Sequence, residues 1–157
     1  MVFNKESEFE QALIDLLVNS GWSGGVIKNP TEQQLIQNWA DILYENNRGI
    51  DRLNDYPLTG SEMDQILEQI NDLKTPLRLN GFINGGSVSI KRDNPDDVAH
   101  FGKEISLKIY DRMEIAGGQS RYQIAQQPKF PTKSKIMNDR RGDLMLLING
   151  MPVIHIE

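Results

Sequence analysis

The chain has 157 residues, a formal net charge of −5 and 38% hydrophobic residues, which suits one domain with a sizeable core. The absence of cysteine excludes disulfides and thiolate zinc sites, and neither a signal peptide nor a membrane-spanning apolar run is present. We therefore expect a soluble, cytoplasmic protein with no membrane partner.

The charge is distributed unevenly along the chain. Residues 1–75 carry a net charge of −8, whereas residues 76–157 carry +3. Binding to a polyanion needs clustered Lys and Arg, so the overall charge argues against a free-standing DNA-binding protein. Any polyanion is expected to meet the second half of the chain.

Three amphipathic helices are predicted in the first half. The first begins at Ser7, with Glu10 completing a capping box. The second begins near Thr31, and the third is capped by Ser61. Their predicted apolar faces are Phe9, Leu13, Leu16 and Leu17 in the first helix, Leu35, Ile36, Trp39, Ile42 and Leu43 in the second, and Met63, Ile66, Leu67, Ile70 and Leu73 in the third.

Strands are predicted in the second half. Residues 105–109 alternate between apolar and polar, which indicates a strand with one exposed face, and residues 121–127 form a weaker candidate. Residues 143–157 predict a hairpin that turns at Asn149 and Gly150. Both arms of the hairpin are apolar on both faces, so we expect it to lie centrally in a covered sheet.

Two acids, Asp143 and Glu157, stand at the outer ends of that hairpin. Carboxylates are ligands for Mg²⁺, the ion that assists phosphodiester hydrolysis. A regular two-residue loop would point the two acids to opposite faces, whereas a bulge or an odd-length turn at 148–151 would bring them to one face. We predict the irregular turn, which Pro152 favours because it lacks an N–H. The shared face would also carry Met145, Leu147, Val153 and His155.

The densest basic run comes immediately before Asp143 and consists of Lys129, Lys133, Lys135, Arg140 and Arg141. A charge run is ordinarily a solvated surface. Its position beside the predicted metal site favours contact with DNA phosphates. No GxxxxGK[ST] phosphate loop occurs, so ATP is not expected to bind within this chain.

Both ends of the chain resemble the same protein family. Residues 140–157, with their Asn-Gly turn and the proline that follows it, are similar to the PD-(D/E)xK nuclease motif of type I restriction enzyme R subunits. Residues 6–22 resemble the opening helix of those subunits, while residues 30–120 match less distinctively. Gly142 replaces the proline of the wider superfamily, and the lysine of the motif would lie two residues beyond Glu157.

The resemblance implies a restriction-endonuclease-like α/β fold, a mixed sheet flanked by helices with the hairpin 143–157 at its centre. We expect a single nuclease domain over residues 1–157, with a helical part at about 5–75 and a sheet part at about 80–157. Because the motif lysine lies beyond this sequence, we expect the chain to belong to a much longer polypeptide and to be cleavage-defective alone.

The same resemblance implies that Asp143 and Glu157 hold Mg²⁺ and that Glu10, on the first helix, is a third catalytic acid. Glu10 is equally well explained as the capping-box partner of Ser7. A histidine beside such a site, here His155, is more often packed and hydrogen-bonded than catalytic.

The function implied for the complete subunit is Mg²⁺-dependent cleavage of double-stranded DNA away from the recognition sequence. ATP-driven translocation by domains absent here would precede cleavage, and the methylation and specificity subunits would be the partners. Two alternatives stay open. One is a stand-alone nuclease of related fold, and the other is a non-catalytic docking domain for the methyltransferase core.

Overall fold

The computed structural model describes residues 5–48, 52–72, 87–109, 120–129 and 144–156. These residues form a mixed α/β structure, as predicted. In chain order its elements are α1 (Glu6–Asn19), β1 (Val26–Lys28), α2 (Glu32–Asn46), α3 (Gly60–Asn71), β2 (Ser87–Lys91), β3 (Glu104–Lys108), β4 (Tyr122–Gln126), β5 (Leu144–Ile148) and β6 (Met151–Ile156). None of the helices in these segments is long and apolar enough to cross a membrane.

The chain divides into two compact units. Unit 1 consists of Met1–Gln33 and Arg121–Glu157, and unit 2 consists of Gln34–Ser120. Helix α1 and strands β1, β4, β5 and β6 therefore belong to unit 1, while α3, β2, β3 and nearly all of α2 belong to unit 2. The expectation of one nuclease domain over residues 1–157 stays a prediction.

Unit 1 contains a four-stranded sheet in the order β1-β4-β5-β6 within the described residues. Strand β1 runs parallel to β4, and the other neighbours are antiparallel. Helix α1 covers one face of this sheet, where Ile14 packs with Ile124, Leu144 and Leu146. The predicted strand at 121–127 and the C-terminal hairpin are thus confirmed. The central position predicted for the hairpin holds for β5, which lies between β4 and β6, whereas β6 forms the edge of the sheet within the described residues.

The buried side of α1 differs from the predicted apolar stripe. Phe9 and Leu16 are 51% and 63% exposed, whereas Glu10 and Ile14 are buried. Leu13 and Leu17 of the predicted stripe do pack against the sheet, together with Glu10 and Ile14 on the buried side, so the prediction is wrong only for Phe9 and Leu16. A carboxylate therefore occupies a position on the buried side of the helix.

Two helix starts also differ from the sequence predictions. Lys5 is the N-cap of α1 and makes no side-chain cap, so Ser7 lies inside the helix and the capping box predicted there is wrong. Helix α3 begins with a capping box formed by Thr59 and Glu62, two residues before the predicted cap at Ser61. The start of α2 near Thr31 is confirmed.

Unit 2 contains a two-stranded antiparallel hairpin, β2 with β3. The Gln65 side chain accepts a bond from Lys91 N (2.8 Å) and donates one to Lys91 O (3.2 Å), which occupies the outer edge of β2. The Asn47 side chain does the same on β3, accepting from Lys108 N (2.8 Å) and donating to Lys108 O (3.0 Å). Side-chain amides thus take the place of further strands on both edges of the hairpin.

A buried arginine holds the loop before α3 to the end of β2. The Arg92 guanidinium donates to Glu62 (2.7 Å) and to Asp97 (3.0 Å), and all three side chains are fully buried. It also donates to backbone carbonyls of the loop, those of Leu53, Tyr56 and Pro57. Burial raises the pKa of Asp97, but hydrogen bonds from Arg92, His100 and Asn54 outweigh that effect and lower it overall.

Candidate functional site

The turn of the C-terminal hairpin has the residues and conformation expected from the sequence. Ile148 pairs with Met151, leaving Asn149 and Gly150 as the turn. Both turn residues have positive φ, 51° and 86°, which is the requirement of the turn type that Asn-Gly favours. The Asn149 side chain also accepts a hydrogen bond of 2.9 Å from Arg121 N, which ties the turn to the start of β4.

The irregularity predicted for this hairpin is present, but it lies in strand β6 and not in the turn itself. Leu147 pairs with Pro152, whereas Leu146 pairs with Ile154. Val153 is therefore an extra residue, and the hairpin contains a β-bulge. The bulge falls directly after Pro152, whose missing N–H could not complete a regular ladder there.

The bulge changes which residues share a face. Beyond it, Met145 pairs with His155 and Leu144 pairs with Ile156. Directly paired residues point to the same side of a sheet, so Met145 and His155 share a face as predicted. Six of the predicted site residues lie outside the described residues, namely Asp143, Glu157, Lys133, Lys135, Arg140 and Arg141.

The third predicted acid, Glu10, is described and is 5% exposed. Its Oε2 accepts a hydrogen bond of 2.8 Å from Gln127 Nε2. Its Oε1 is buried and has no hydrogen-bond partner among the described residues. The capping box with Ser7 is not formed, so a capping role does not explain why Glu10 is here. A buried carboxylate with a free oxygen is costly unless something compensates it.

Glu10 makes its contact at one particular end of the sheet. Gln127 follows directly on β4, whose last residue, Gln126, pairs with Leu144. Leu144 in turn pairs with Ile156. This is the end at which β4 finishes, β5 begins and β6 finishes. The hydrogen bond from Gln127 therefore holds the Glu10 carboxylate beside the strand ends that lead to the two other predicted acids.

Lysines flank the same end of the sheet. Lys129 N donates to Pro30 O (2.8 Å), and Lys129 forms a parallel bridge with Thr31, so this member of the basic run has a fixed backbone. Lys28 ends β1 and pairs with Gln126, and its side chain is exposed. Sequence reasoning missed Lys28 because it belongs to no charge run and only the pairing of β1 with β4 brings it here.

His155 is half-buried on the face that it shares with Met145. Its Nε2 is buried and has no hydrogen-bond partner within the described segments. His155 is therefore partly packed as expected, but its Nε2 lacks the expected hydrogen bond within the described segments. Over the described residues, no group of three or more His, Asp or Glu side chains lies close enough together to hold a metal ion.

Comparison with known proteins relates this arrangement to one family. Residues 4–157 match the family described as "Type I restriction enzyme R protein N terminus (HSDR_N)". Over 157 residues the chain is 31% identical to the "Type I restriction enzyme SsaAORF53P endonuclease subunit" of Staphylococcus saprophyticus subsp. saprophyticus. It is 26% identical over the same length to the "Type I restriction enzyme SauCOLORF180P endonuclease subunit" of Staphylococcus aureus strain COL. These matches cover 100% of this chain and 15% of each relative.

The chain thus spans about 15% of the length of the curated relatives it matches. No solved structure gives a significant match to it.

Proposed function

Because the chain belongs to the family of type I restriction enzyme R protein N termini, we propose that it is the nuclease domain of such a subunit and supports Mg²⁺-dependent cleavage of double-stranded DNA. The relatives it matches carry the word endonuclease in their names. The geometry of the C-terminal hairpin supports the same chemistry.

The observation that carries the proposal is the bulge at Val153. Leu144 pairs with Ile156, and continuing that register by one residue on each strand would set Asp143 opposite Glu157 on one face. Without the bulge the same continuation would separate them on opposite faces.

The residues present suit a divalent cation. Asp143 and Glu157 would hold Mg²⁺, and the buried, unpartnered Oε1 of Glu10 would be a third oxygen. Helix α1 covers the face of Leu144, whereas Asp143 is proposed to continue the face of Met145. Glu10 would therefore reach the ion from the other face, around the end of the sheet where Gln127 holds its carboxylate. When bound there, the ion would stabilise developing charge on the phosphate and activate water.

The basic residues would hold the substrate. Lys129 and, by our proposal, Lys133, Lys135, Arg140 and Arg141 would contact phosphates of the strand to be cut. Lys28 adds a further cation at the same sheet end. None of these contacts reads a base, which suits cleavage without local sequence preference.

The rest of the subunit would supply what this chain lacks. We propose that ATP-driven translocation belongs to the remainder of the polypeptide, since the chain spans only 15% of its relatives. DNA recognition would come from the methylation and specificity subunits, in the cytoplasm. Cleavage would then occur away from the recognition sequence.

The test is a calorimetric titration of the full-length subunit with Mn²⁺, paired with an assay of plasmid cleavage. We expect Asp143→Ala and Glu157→Ala each to abolish cation binding and cleavage while ATP hydrolysis continues. Asp15→Ala, which removes an exposed acid of α1, serves as the matched control and should leave both unchanged. Cation binding and cleavage that survive both hairpin variants would contradict the proposal.

The docking alternative has one observation in its favour. Phe9 and Leu16 expose apolar surface on the outer side of α1. A docking domain would bind the methyltransferase core equally well with Asp143→Ala and would show no cation site at all. A stand-alone nuclease would instead bind duplex DNA unaided, in a salt-sensitive manner.

A further inference from the structure

Gln127 lies outside the proposed set of acids but contacts one of them. It follows β4 with a φ of 49°, in the left-handed region that non-glycine residues seldom adopt. The backbone is fixed on both sides of Gln127. Gln126 O accepts a hydrogen bond from Asn29 N, and Lys129 N donates one to Pro30 O, both with a length of 2.8 Å. The side chain of Gln127 is thus presented by a constrained backbone.

The hydrogen bond from Gln127 reaches an acid 117 positions earlier in the chain. Gln127 Nε2 lies 2.8 Å from Glu10 Oε2, while Glu10 Oε1 has no partner among the described residues. Glu10 is 5% exposed, so solvent does little to satisfy the second oxygen. Gln127 therefore holds one oxygen of the Glu10 carboxylate, and the other has no hydrogen bond from the described residues.

The chemical type of the donor matters. An amide is neutral, so it orients a carboxylate without cancelling its negative charge. A lysine or arginine at the same position would form an ion pair and would compete with any cation for the carboxylate. The pairing of Glu10 with a glutamine therefore preserves an acid that can still bind a cation.

We propose that Gln127 is a positioning residue for the nuclease site. It fixes the rotation of the Glu10 carboxylate through Oε2 and so keeps Oε1 available to the divalent cation of the proposed site. This inference rests on the proposed function and assigns a role to a residue that does not itself bind the ion.

The experiment measures two quantities on the full-length subunit assembled with its partners, namely the Mn²⁺ dissociation constant by calorimetric titration and the Mg²⁺ concentration that gives half-maximal plasmid cleavage. The two should rise together in any variant that disturbs Glu10. Gln127→Leu keeps the size of the side chain but cannot donate, and a bond to a charged group is worth roughly tenfold in an equilibrium constant. We therefore expect the half-maximal Mg²⁺ concentration to rise about tenfold, with most of the maximal rate recovered at saturating Mg²⁺. Gln127→Glu also cannot hold Glu10 and places a second negative charge beside it. We expect this variant to raise the half-maximal Mg²⁺ concentration further.

The matched control is Gln11→Leu, which removes an exposed glutamine of α1 that bonds only to the nearby Asp15 in the described structure. It should leave the Mg²⁺ dependence unchanged. In a Glu10→Gln background, Gln127→Leu should produce no further change, because its effect passes through the Glu10 carboxylate.

The outcomes separate the positioning role of Gln127 from the proposed nuclease function. An unchanged Mg²⁺ dependence in Gln127→Leu, or an equal further loss in the Glu10→Gln background, overturns the positioning role. In both cases Asp143→Ala would still abolish cleavage. If Asp143→Ala leaves cleavage intact, the proposed function itself fails.

Discussion

Met145 lies directly opposite His155 in the β5–β6 hairpin, although the turn that joins the two strands contains only two residues. A regular hairpin with that turn would set Met145 opposite Ile154, because each pair of positions would add up to 299 and not to 300. Val153, the extra residue of β6, accounts for the difference.

Inserting one alanine between His155 and Ile156 should abolish cation binding without unfolding unit 1. The insertion leaves Met145 opposite His155 but shifts the following residues of β6 by one position, which would turn Glu157 to the face opposite to that of Asp143. Titration with Mn²⁺ and circular dichroism of the same sample measure both effects. Deleting Val153 removes the extra residue, keeps Met145 opposite His155 and is the control, with cation binding preserved. Retained binding in the insertion variant would show that the side-chain alternation of the hairpin is irrelevant to the site.

Glu10→Gln should reduce DNA cleavage by roughly 100-fold, the low end for loss of one well-placed charged group at a reaction site. The fold should persist, because glutamine has the same shape and Gln127 can still donate to its carbonyl oxygen. The comparison is Glu8→Gln, which changes an exposed residue of the same helix and should have little effect. Equal cleavage by the two variants would return Glu10 to a structural role.

Lys28→Glu should weaken DNA cleavage more at low salt than at high salt. The substitution reverses a charge at the sheet end where Lys129 is fixed, and one lost phosphate contact lowers the salt dependence of binding by about one unit of slope. Cleavage assays over a series of salt concentrations provide the measurement. Lys103→Glu alters an exposed lysine of unit 2 and is the control. A slope that does not change with Lys28→Glu would mean that this lysine touches no phosphate.

Arg92→Met should destabilise the fold by about 3 kcal/mol, the cost typical of removing one partner from a buried ion pair. Glu62 and Asp97 would be left as buried acids without their shared cation. Urea denaturation gives the free energy of unfolding. Arg48→Met breaks an ion pair whose side chains are 53% and 81% exposed, so it should change little. If the two variants lose similar free energy of unfolding, burial does not increase the contribution of the Arg92 ion pairs to stability.

The stability of unit 2 should fall as the pH is lowered through the depressed pKa of Asp97. Burial raises that pKa in the folded chain, but the hydrogen bonds outweigh burial and lower it overall. The stabilisation is therefore fully present above the ordinary value of 3.8 and is lost as the pH falls from there through the depressed pKa. Asp97→Asn should therefore be less stable than the native chain at neutral pH. The gap between the two, measured by urea denaturation, should narrow in acid. A gap independent of pH would contradict the assigned ionisation.

Much of the fold could be predicted because its signals are local. The helical spacing of Leu35, Trp39 and Leu43 predicts α2, and all three side chains are buried. Asn149 and Gly150 predict the tight turn because both need positive φ. A shared face for Asp143 and Glu157 called for an irregularity, which we predicted at 148–151, but the coordinates place it at Val153.

The features that escaped prediction depend on contacts between distant parts of the chain. Apolar periodicity assigned Phe9 to the buried side of α1, and the sheet instead receives Glu10, whose partner Gln127 is 117 positions away. The buried Arg92 carried no signal at all, since an arginine followed by polar residues is typical of an exposed loop. Such residues become interpretable only when the structure shows what they meet.

The amide side chains of Gln65 and Asn47 leave no backbone of β2 or β3 open at the positions they occupy. An unpaired strand edge can form hydrogen bonds with an extended segment of another chain. Among the described residues this hairpin has two strands, and the glutamine and asparagine amides protect its borders from aggregation.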